Sequence, residues 1–599
     1  MNAHPIPRGA RTAAIFTPLL AAALASSPAA AQQPRANPGV TNDPRIGLAP
    51  GWKNAAEAIR NLRLVAHRDR PDNFVNAANP GDFGFINADL AFKGPYVFQG
   101  GYAGFQVWDI SNPANPRLRT SLVCPGGQGD VSVYRNLLFV SVEETRGRID
   151  CGTQGVTDTV STERIRGVRI FDITNLDRPR PITVVQTCRG SHTHTLVTDP
   201  RDPNNVYIYV SGTSPVRPAA ELSGCSGRPP EEDPNTSLFR IEVIRVPLAA
   251  PQNARIVSTP RIFANRQTGA ISGLWQGGQH GEGTQTTALT NQCHDITVYP
   301  EMGLAAGACA GNGILLDIHD PANPVRIDEV SDPNFAYWHS ATFSNDGRAV
   351  LFSDEWGGGT RPRCLATDQR EWGADAIFTL SARKMRLASY YKLPAPQTEL
   401  ENCVAHNGSL IPVPGRNLMV QAWYQGGLSV FDFTDPGRPV EIAFFDRGPM
   451  RPDSLSLGGY WSTYWYNGHI YGSEIGRGLD VFELVPSELL SQNEIDAAKL
   501  VRMDVFNPQD QTRITWPASF TVARAYLDQL VRGRALQTTR TDRISRELTR
   551  IERLSAGTSR RTALRTLAAQ VEGYAAGSSD AERVRALAGA IRDLAAARR

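Results

Sequence analysis

The sequence predicts an all-β fold, a seven-bladed β-propeller, followed by a small C-terminal α-helical bundle. Three observations indicate this. One strand-like phrase recurs along the chain, short apolar runs alternate with Gly, Pro, Asn and Asp up to about residue 484, and the apolar periodicity then becomes helical. We therefore expect a propeller over residues 61–484 and an Arg-rich helical domain over residues 485–599.

The N-terminus has the pattern of a signal peptide over residues 1–31. Two arginines precede an apolar run over residues 13–25, and small residues follow it up to Ala31. The run is too short to span a bilayer as a helix, and no transmembrane segment is predicted further along. We expect cleavage after Ala31, a linker over residues 32–60, and a secreted or periplasmic bacterial protein.

The recurring phrase alternates apolar and polar residues, ends in Asp, and is followed by an Asn-Pro or Asp-Pro turn. Because proline cannot donate to a β-ladder, each turn ends its strand. Clear copies begin at Gly104, Gly167, Gly313 and Gly427, and weaker copies lie at residues 237–246, 374–381 and 478–484.

Two more short strands precede each copy, and the start of the first strand defines an equivalent position in every unit. These ring positions are Asn87, Gly129, His192, His294, His339, His406 and Trp461. Their spacings, from about 42 to about 102 residues, match propeller blades with loop insertions. Residues 61–67 are predicted to form a strand that belongs to none of these units. The last unit lacks a fourth strand, and we expect residues 61–67 to supply it.

These phrases, together with Cys293–Ile296 and Asp354–Gly358, resemble the LVIVD-repeat family of exported bacterial β-propellers. The resemblance covers roughly residues 61–484 and implies the fold, whereas the family name describes a repeat and not a reaction. A more distant likeness, of architecture and channel histidines, is to the selenium-binding protein family, whose methanethiol-oxidising members are propellers that use copper.

The eight cysteines all follow the predicted cleavage site, and an even number in an exported chain indicates disulfides. In three blades one cysteine precedes the first strand and another follows the second strand, so both lie at the same end of the blade. The last two lie in neighbouring blades. The expected pairs are Cys124–Cys151, Cys188–Cys225, Cys293–Cys309 and Cys364–Cys403.

The first strands of a propeller line its central channel, so equivalent positions form a ring. Imidazole nitrogens suit zinc, copper, iron or nickel, and carboxylates can complete the coordination shell. His194 is expected one level deeper than His192 on the same strand face. The predicted ligands of a divalent transition metal (Zn, Cu or Fe) are His192, His194, His294, His339 and His406, with the carboxylates Asp354, Glu355 and Glu474.

Two other interpretations of these histidines stay open. They could form hydrogen bonds across blades and to buried water, or they could contact a bound organic ligand. Carboxylates also end the second strand of another blade, at Glu143 and Glu144, and would converge on the same mouth of the channel.

The C-terminal region is basic. From Gln511 onward it contains 17 Arg, no Lys and 8 acidic residues. An Arg-rich solvated face on an oligomerising or protein-docking bundle is one interpretation, and binding to an anionic envelope surface is the other. Export disfavours nucleic acid as a partner. Helical periodicity predicts helices over residues 521–531, 540–554, 560–574 and 579–597.

Two functions are compatible with this sequence. The first is a non-enzymatic binding module that presents a disulfide-stapled face to a protein, a cell-envelope partner or a small polar ligand. The alternative is a metal-dependent enzyme, an oxidase or hydrolase, at the histidine ring. No nucleophile elbow, zincin, P-loop or dinucleotide-binding motif occurs in a strand-turn-helix context.

Overall fold

The computed structural model of the protein describes residues 42–79 and 81–597. As predicted, these residues form a seven-bladed β-propeller followed by a helical C-terminal region. The predicted signal peptide and its cleavage site lie outside the described residues.

Two strands precede the blades, β1 (Glu57–Arg60) and β2 (Leu62–Asp69). Blade 1 contains β3 (Asn87–Lys93), β4 (Tyr96–Gly101), β5 (Gly104–Asp109) and β6 (Arg117–Val123). Blade 2 contains β7 (Val131–Tyr134), β8 (Leu137–Val142), β9 (Gly167–Asp172) and β10 (Arg180–Gln186). Blade 3 contains β11 (Thr195–Val197), β12 (Asn205–Val210), β13 (Glu242–Pro247) and β14 (Arg255–Ser258).

A short hairpin follows, with β15 (Gly278–Gln279) and β16 (Thr286–Thr287). Blade 4 contains β17 (Ile296–Tyr299), β18 (Leu304–Cys309), β19 (Asn312–Asp317) and β20 (Val325–Val330). Blade 5 contains β21 (Trp338–Phe343), β22 (Ala349–Asp354), β23 (Asp375–Ser381) and β24 (Lys384–Tyr391). Blade 6 contains β25 (Gly408–Ile411), β26 (Leu418–Ala422), β27 (Leu428–Asp432) and β28 (Val440–Arg447). Blade 7 contains β29 (Tyr460–Tyr466), β30 (His469–Glu474) and β31 (Gly478–Leu484).

The repeated phrase forms the third strand of every blade. In the clear copies, the final aspartate accepts a hydrogen bond from the backbone N–H two residues later. Asp109 does so from Ser111 at 2.9 Å, and Asp172 from Thr174 at 2.8 Å. This local turn ends the strand just before the proline, which explains why the phrase locates the strand in the sequence.

The propeller closes as predicted, because β2 pairs antiparallel with β31 and supplies the fourth strand of blade 7. Leu62 lies opposite Leu484, and Leu64 lies opposite Phe482. The segment expected as a linker also contributes, since β1 pairs with β28 at the outer edge of blade 6. β1 therefore belongs to the sheet of blade 6.

The four predicted disulfides are present, and the part of the chain that the structure describes has no free cysteine. They close loops with sequence separations of 27, 37, 16 and 39 residues. Such a set indicates an oxidising extracellular or periplasmic environment.

A segment that the sequence pattern did not reveal crosses one end of the channel. We call residues 500–519 the strap. Its short strand β32 (Val505–Phe506) pairs with β3, and the Asn507 side chain bonds both N and O of Val133 in blade 2, at 2.7 and 3.0 Å. Gln511 bonds N and O of Phe343 in blade 5, at 2.9 and 2.7 Å. These contacts lie at the ends of the first strands that are remote from the ring positions, so the strap covers the far end of the channel.

Five helices complete the described chain. Serine side chains cap the first two at Ser491 and Ser519, and apolar stripes bury Ile544, Leu548 and Ile551 in the bundle core. None of the described helices is long and apolar enough to cross a membrane. The helices are α1 (Gln492–Lys499), α2 (Phe520–Arg532), α3 (Thr538–Glu552), α4 (Thr558–Glu572) and α5 (Ala581–Ala596).

Candidate metal centre

Four histidines from four successive blades lie side by side around the channel. The ring centroids are separated by 4.4 Å between His192 and His294, 3.8 Å between His294 and His339, and 4.2 Å between His339 and His406. Trp461 of blade 7 follows, at 5.1 Å from the His406 ring. The structure thus brings together the ring that the repeat alignment predicts.

The backbone holds these positions rigidly. The N–H of His294 donates to Ala308 O at 2.8 Å, and the N–H of His406 donates to Ala422 O at 3.0 Å, each within its own blade. Neighbouring blades are joined where Asp295 N–H donates to His339 O at 3.0 Å. The imidazoles therefore project from anchored strand ends, which is the preorganisation that a ligand site requires.

Partners on the Nδ1 side fix the orientation of three imidazoles. His406 Nδ1 contacts the carbonyl oxygen of Trp461, which can only accept, so Nδ1 carries the proton. His192 Nδ1 lies 2.6 Å from Glu143 Oε2, and His294 Nδ1 lies 3.0 Å from Asp295 Oδ1. In this tautomer the Nε2 atoms of His294 and His406 carry a lone pair, as in histidines whose other nitrogen is held by a carboxylate or a carbonyl in metal sites.

The Nε2 atoms of His192 and His294 are only 2.7 Å apart. A contact this short holds a proton, which His192 donates to the lone pair of His294. His406 Nε2 and both ring nitrogens of His339 are buried without a hydrogen-bond partner. Buried polar atoms are normally bonded, and these orphaned nitrogens therefore indicate a bound species.

Glu355 adds a carboxylate to the ring. Its Oε2 lies 3.7 Å from His339 Nε2, and its Oε1 lies 3.5 Å from His406 Nε2. The hydroxyl of Tyr424 donates to Glu355 Oε1 at 2.6 Å and holds it in place. Ligand atoms of His339, Glu355 and His406 lie within 4.8 Å of one another, as do those of His294, Asp295 and His339. Two overlapping donor groups of this kind fit a transition metal.

Electrostatics keeps most of this set in the protonation state that a metal requires. Burial, reinforced by the positive charges of neighbouring imidazoles, lowers the pKa of both His294 and His339 well below its ordinary value. Burial raises the pKa of Glu355, but the adjacent His406 and the hydrogen bond from Tyr424 outweigh it and leave this pKa lowered. At neutral pH His294 and His339 are neutral and Glu355 is ionised.

His192 differs from its neighbours. Burial lowers its pKa, but the charge of Glu143 and the hydrogen bond to it raise the pKa by more. Burial likewise raises the pKa of Glu143, and the charge of His192 and the hydrogen bond with it outweigh this and lower it. His192 and Glu143 form an ion pair at the edge of the ring.

The structure separates three predicted ligands from this centre. His194 is buried one level below, with Nδ1 at 2.8 Å from Ser141 Oγ. Asp354 points away from the ring and accepts backbone N–H groups of Ala336, Tyr337 and Gly373 and the side-chain amide of Gln285, at 2.9 to 3.0 Å. Asp354 is thus bonded to the loops beside the ring.

The Glu474 carboxylate is likewise satisfied by hydrogen bonds and an ion pair within the protein. It accepts hydrogen bonds from the N–H groups of Gly459 and Gly476 at 2.8 Å and pairs with Arg477 at 3.0 Å. Of the three predicted carboxylates, the structure brings only Glu355 to the histidines.

The sequence pattern did not identify Tyr424 and Asp295 as site residues, and it noted Glu143 only as a carboxylate near the mouth. Asp295 directly follows His294, and this adjacency is a signal that could have suggested its role. Tyr424 shows no such signal, because its contact with Glu355 joins residues 69 positions apart in different blades.

A cavity of about 440 Å³ lies on the ring. His192, His294 and Glu355 form its polar wall, whereas His339 and His406 lie fully buried beneath. The other side chains that line it are mainly aromatic and aliphatic, namely Phe83, Ile86, Tyr102, Tyr337, Tyr424, Leu457, Trp461 and Ile475. A cavity of this size with a few convergent polar groups is typical of small-molecule sites.

Neither a protein-family model nor a curated protein sequence matches this chain. Among solved structures, it is similar to the periplasmic gluconolactonase of Pseudomonas aeruginosa, with 13% identity, a TM-score of 0.39 and coverage of 67% of this chain and 96% of that one. It is also similar to the β-propeller domain of Cps50 (Swd1) of Myceliophteria thermophila, with 11% identity, a TM-score of 0.37 and coverage of 66% and 96%. At these values the function has to be argued from the site itself.

Proposed function

We propose that the protein is a metal-dependent enzyme whose transition metal is bound by His294, His339, His406 and Glu355. His192, the fourth imidazole of the ring, completes the set from the cavity side once the metal displaces the proton from its Nε2. The observation that carries this proposal is the pair of buried, unpartnered Nε2 atoms of His339 and His406, which converge on the Glu355 carboxylate.

The donor set favours particular metals. Imidazoles with one carboxylate suit zinc, copper or iron more than calcium or magnesium, which prefer oxygen. When bound, such a metal supplies Lewis-acid or redox chemistry to a substrate in the cavity. Within the chain, Tyr424 and Asp295 position Glu355 and His294, and the strap keeps solvent from the far end of the channel.

The cavity walls favour a small organic substrate with an apolar or aromatic part and a polar group that reaches the ring. Aromatic side chains provide large contact areas at little conformational cost, and Trp461, Tyr102 and Tyr337 surround the polar wall. The oxidase and hydrolase alternatives both fit such a substrate.

Export and membership of the LVIVD-repeat family belong to the same proposal. They are supported by the four disulfides and by the repeated phrases, which form the third strands. The binding-module interpretation, with a protein or cell-envelope partner and oligomerisation through the C-terminal helices, stays a prediction from the sequence.

Metal analysis of the full chain, purified without an affinity tag, tests the site. We expect a stoichiometric transition metal in the wild type and its loss in the double variant His294→Ala/His339→Ala. The matched control is His319→Ala, because His319 lies on an exposed turn of blade 4 and should leave the metal content unchanged. A wild type without zinc, copper or iron after growth with each, or a double variant that keeps its metal, would contradict the proposal.

A second measurement separates an enzyme from a structural metal site. A catalytic metal keeps an exchangeable coordination position, whereas a structural one is closed by protein ligands. Azide added to the protein loaded with copper or cobalt should therefore change its visible spectrum. An unchanged spectrum would mean that the metal is structural.

A further inference from the structure

A second polar layer lies below the histidines, one or two residues further along each first strand. We call it the lower ring. All of its side chains are buried, and it takes one residue from each of the seven blades: Asp89, Asp130, His194, Asp295, Ser340, Asn407 and Ser462. Buried polar groups need hydrogen-bond or ionic partners, so water or an ion must lie in the channel at the level of these side chains.

Contacts between distant blades show that these side chains share one space. Asn407 of blade 6 donates to Asp89 Oδ2 of blade 1 at 3.4 Å, past blade 7. His194 Nδ1 lies 3.2 Å from Asp130 Oδ2. Burial raises the pKa of Asp89, and the negative charges of Asp130 and Asp295 raise it further, as expected for carboxylates that face one chamber.

The lower ring contains three carboxyl groups that no Lys or Arg side chain pairs with among the described residues. Among the described residues, the ion-pair partners of Asp130 and Asp295 are only the imidazoles of His194 and His294, and Asp89 has none. Burying a carboxylate is costly unless it is paired or binds a metal. Without a bound cation the layer has to hold protons: burial, with the charges of Asp130 and Asp295, raises the pKa of Asp89 to about 8.

Three buried atoms around this chamber have no hydrogen-bond partner. They are Asp130 Oδ1, His194 Nε2 and Gln509 Oε1. Gln509 belongs to the strap, is 3% exposed, and its side chain lies close enough to Asp295 to influence its pKa, so it faces the chamber from the far end. Orphaned acceptors on three separate elements, beside three carboxylates, indicate a bound cation.

We propose that the lower ring holds one hydrated divalent cation, Ca²⁺ or Mg²⁺, between Asp89, Asp130 and Asp295. These ions take oxygen ligands, and Mg²⁺ in particular keeps several of its waters. The three carboxylates do not form a group within 4.8 Å of one another among the described residues, so water must bridge part of the shell. The site goes beyond the proposed function, because it involves a different class of metal and shares only Asp295 with the histidine ring.

Calcium and magnesium analysis of the full-length protein, after dialysis against metal-free buffer and then against each ion alone, tests this site. We expect about one retained equivalent of one ion in the wild type. The double variant Asp89→Asn/Asp130→Asn should bind that ion at least about tenfold more weakly but keep its transition metal. Asp504→Asn, at an exposed strap residue, is the matched control and should behave as the wild type.

The reciprocal variant separates the two metal sites. His339→Ala should lose the transition metal but retain the calcium or magnesium. The wild type alone provides a readout that does not depend on folding of the variants: millimolar CaCl₂ or MgCl₂ should raise the unfolding temperature of the chelator-treated protein. A wild type that retains neither ion and shows no such rise, or an unchanged affinity in folded Asp89→Asn/Asp130→Asn protein, would mean that protonated carboxylates and water fill the chamber.

Discussion

The two halves of the channel share one backbone plan but carry different side chains. Blades 3 to 6 place a histidine at the ring position, whereas blades 7, 1 and 2 place Trp461, Asn87 and Gly129 there. Asn87 is fully bonded, because its Nδ2 donates to Glu474 O at 3.0 Å and its Oδ1 accepts from Gln106 at 2.9 Å. His339 and His406, by contrast, leave ring nitrogens without partners. One half therefore acts as a scaffold, and the other has donor atoms available for a ligand.

Two glutamates at corresponding places in blades 5 and 7 show the same contrast. Glu355 and Glu474 both lie at the end of a second strand, and both are buried. Backbone N–H groups and Arg477 satisfy Glu474, whereas Glu355 faces two imidazoles. Burial alone does not identify a metal ligand. A metal ligand is identified by acceptor atoms that the protein's own hydrogen bonds leave unsatisfied.

The largest expected effect is on stability, in the scaffold half. Glu474→Gln should lower the free energy of unfolding by about 3 kcal/mol, because it breaks a buried ion pair and turns an amide toward N–H donors. Denaturant unfolding measures this, and the metal content of folded protein should not change. Glu483→Gln, in a pair with the exposed Arg63, should cost under about 1 kcal/mol. Equal costs for the two variants would contradict the contrast.

The corresponding change in the ligand half should act on the metal. Glu355→Gln keeps the shape of the side chain but removes the charged donor, so transition-metal affinity should fall by about 10- to 100-fold. Competition with a chelator of known affinity measures it. Unchanged affinity would show that Glu355 is not part of the centre.

A smaller effect is expected at the residue that positions Glu355. Tyr424→Phe removes the hydroxyl that donates to Glu355 and should weaken metal binding by up to about tenfold, with Glu355 still present. Tyr460→Phe removes an equally short bond to Asp480 in the scaffold half and should leave the metal affinity unaltered. If both variants weaken the metal equally, the effect comes from general loosening of the fold.

The smallest expected effect is a pH dependence of stability where β2 pairs with β31 and closes the propeller, which also lies in the scaffold half. Burial lowers the pKa of His67, but the hydrogen bond to Asp480 and its charge raise it by more, with Arg447 opposing and Asp69 assisting. The resulting stability is fully present below the ordinary histidine pKa and is lost as pH rises through the raised value. The unfolding temperature should thus fall from mildly acidic to alkaline pH, and less so in His67→Gln. Identical pH profiles for the wild type and this variant, with His319→Gln as control, would refute the assignment.

The sequence was sufficient to predict much of this molecule. The third strands, the closing strand and the four disulfides follow from a repeat whose phase is set by local turns. The strap could not be predicted, because its only strand, β32, has two residues. Its other contacts are hydrogen bonds from strap side chains to backbone groups that are far away in the sequence. The different roles of Asp354 and Glu355 could not be predicted either. Neighbouring residues point in different directions, and the pairing of β21 with β22, the strand that ends at Asp354, shifts register between Trp338 and Ala341.

The most direct test of the account is an anomalous difference map from crystals of the full chain, recorded on both sides of the absorption edge of the metal found by elemental analysis. We predict one strong peak within coordination distance of the Nε2 atoms of His294, His339 and His406 and of the Glu355 carboxylate. A map without a peak there, or with the metal elsewhere in the molecule, would contradict the central claim.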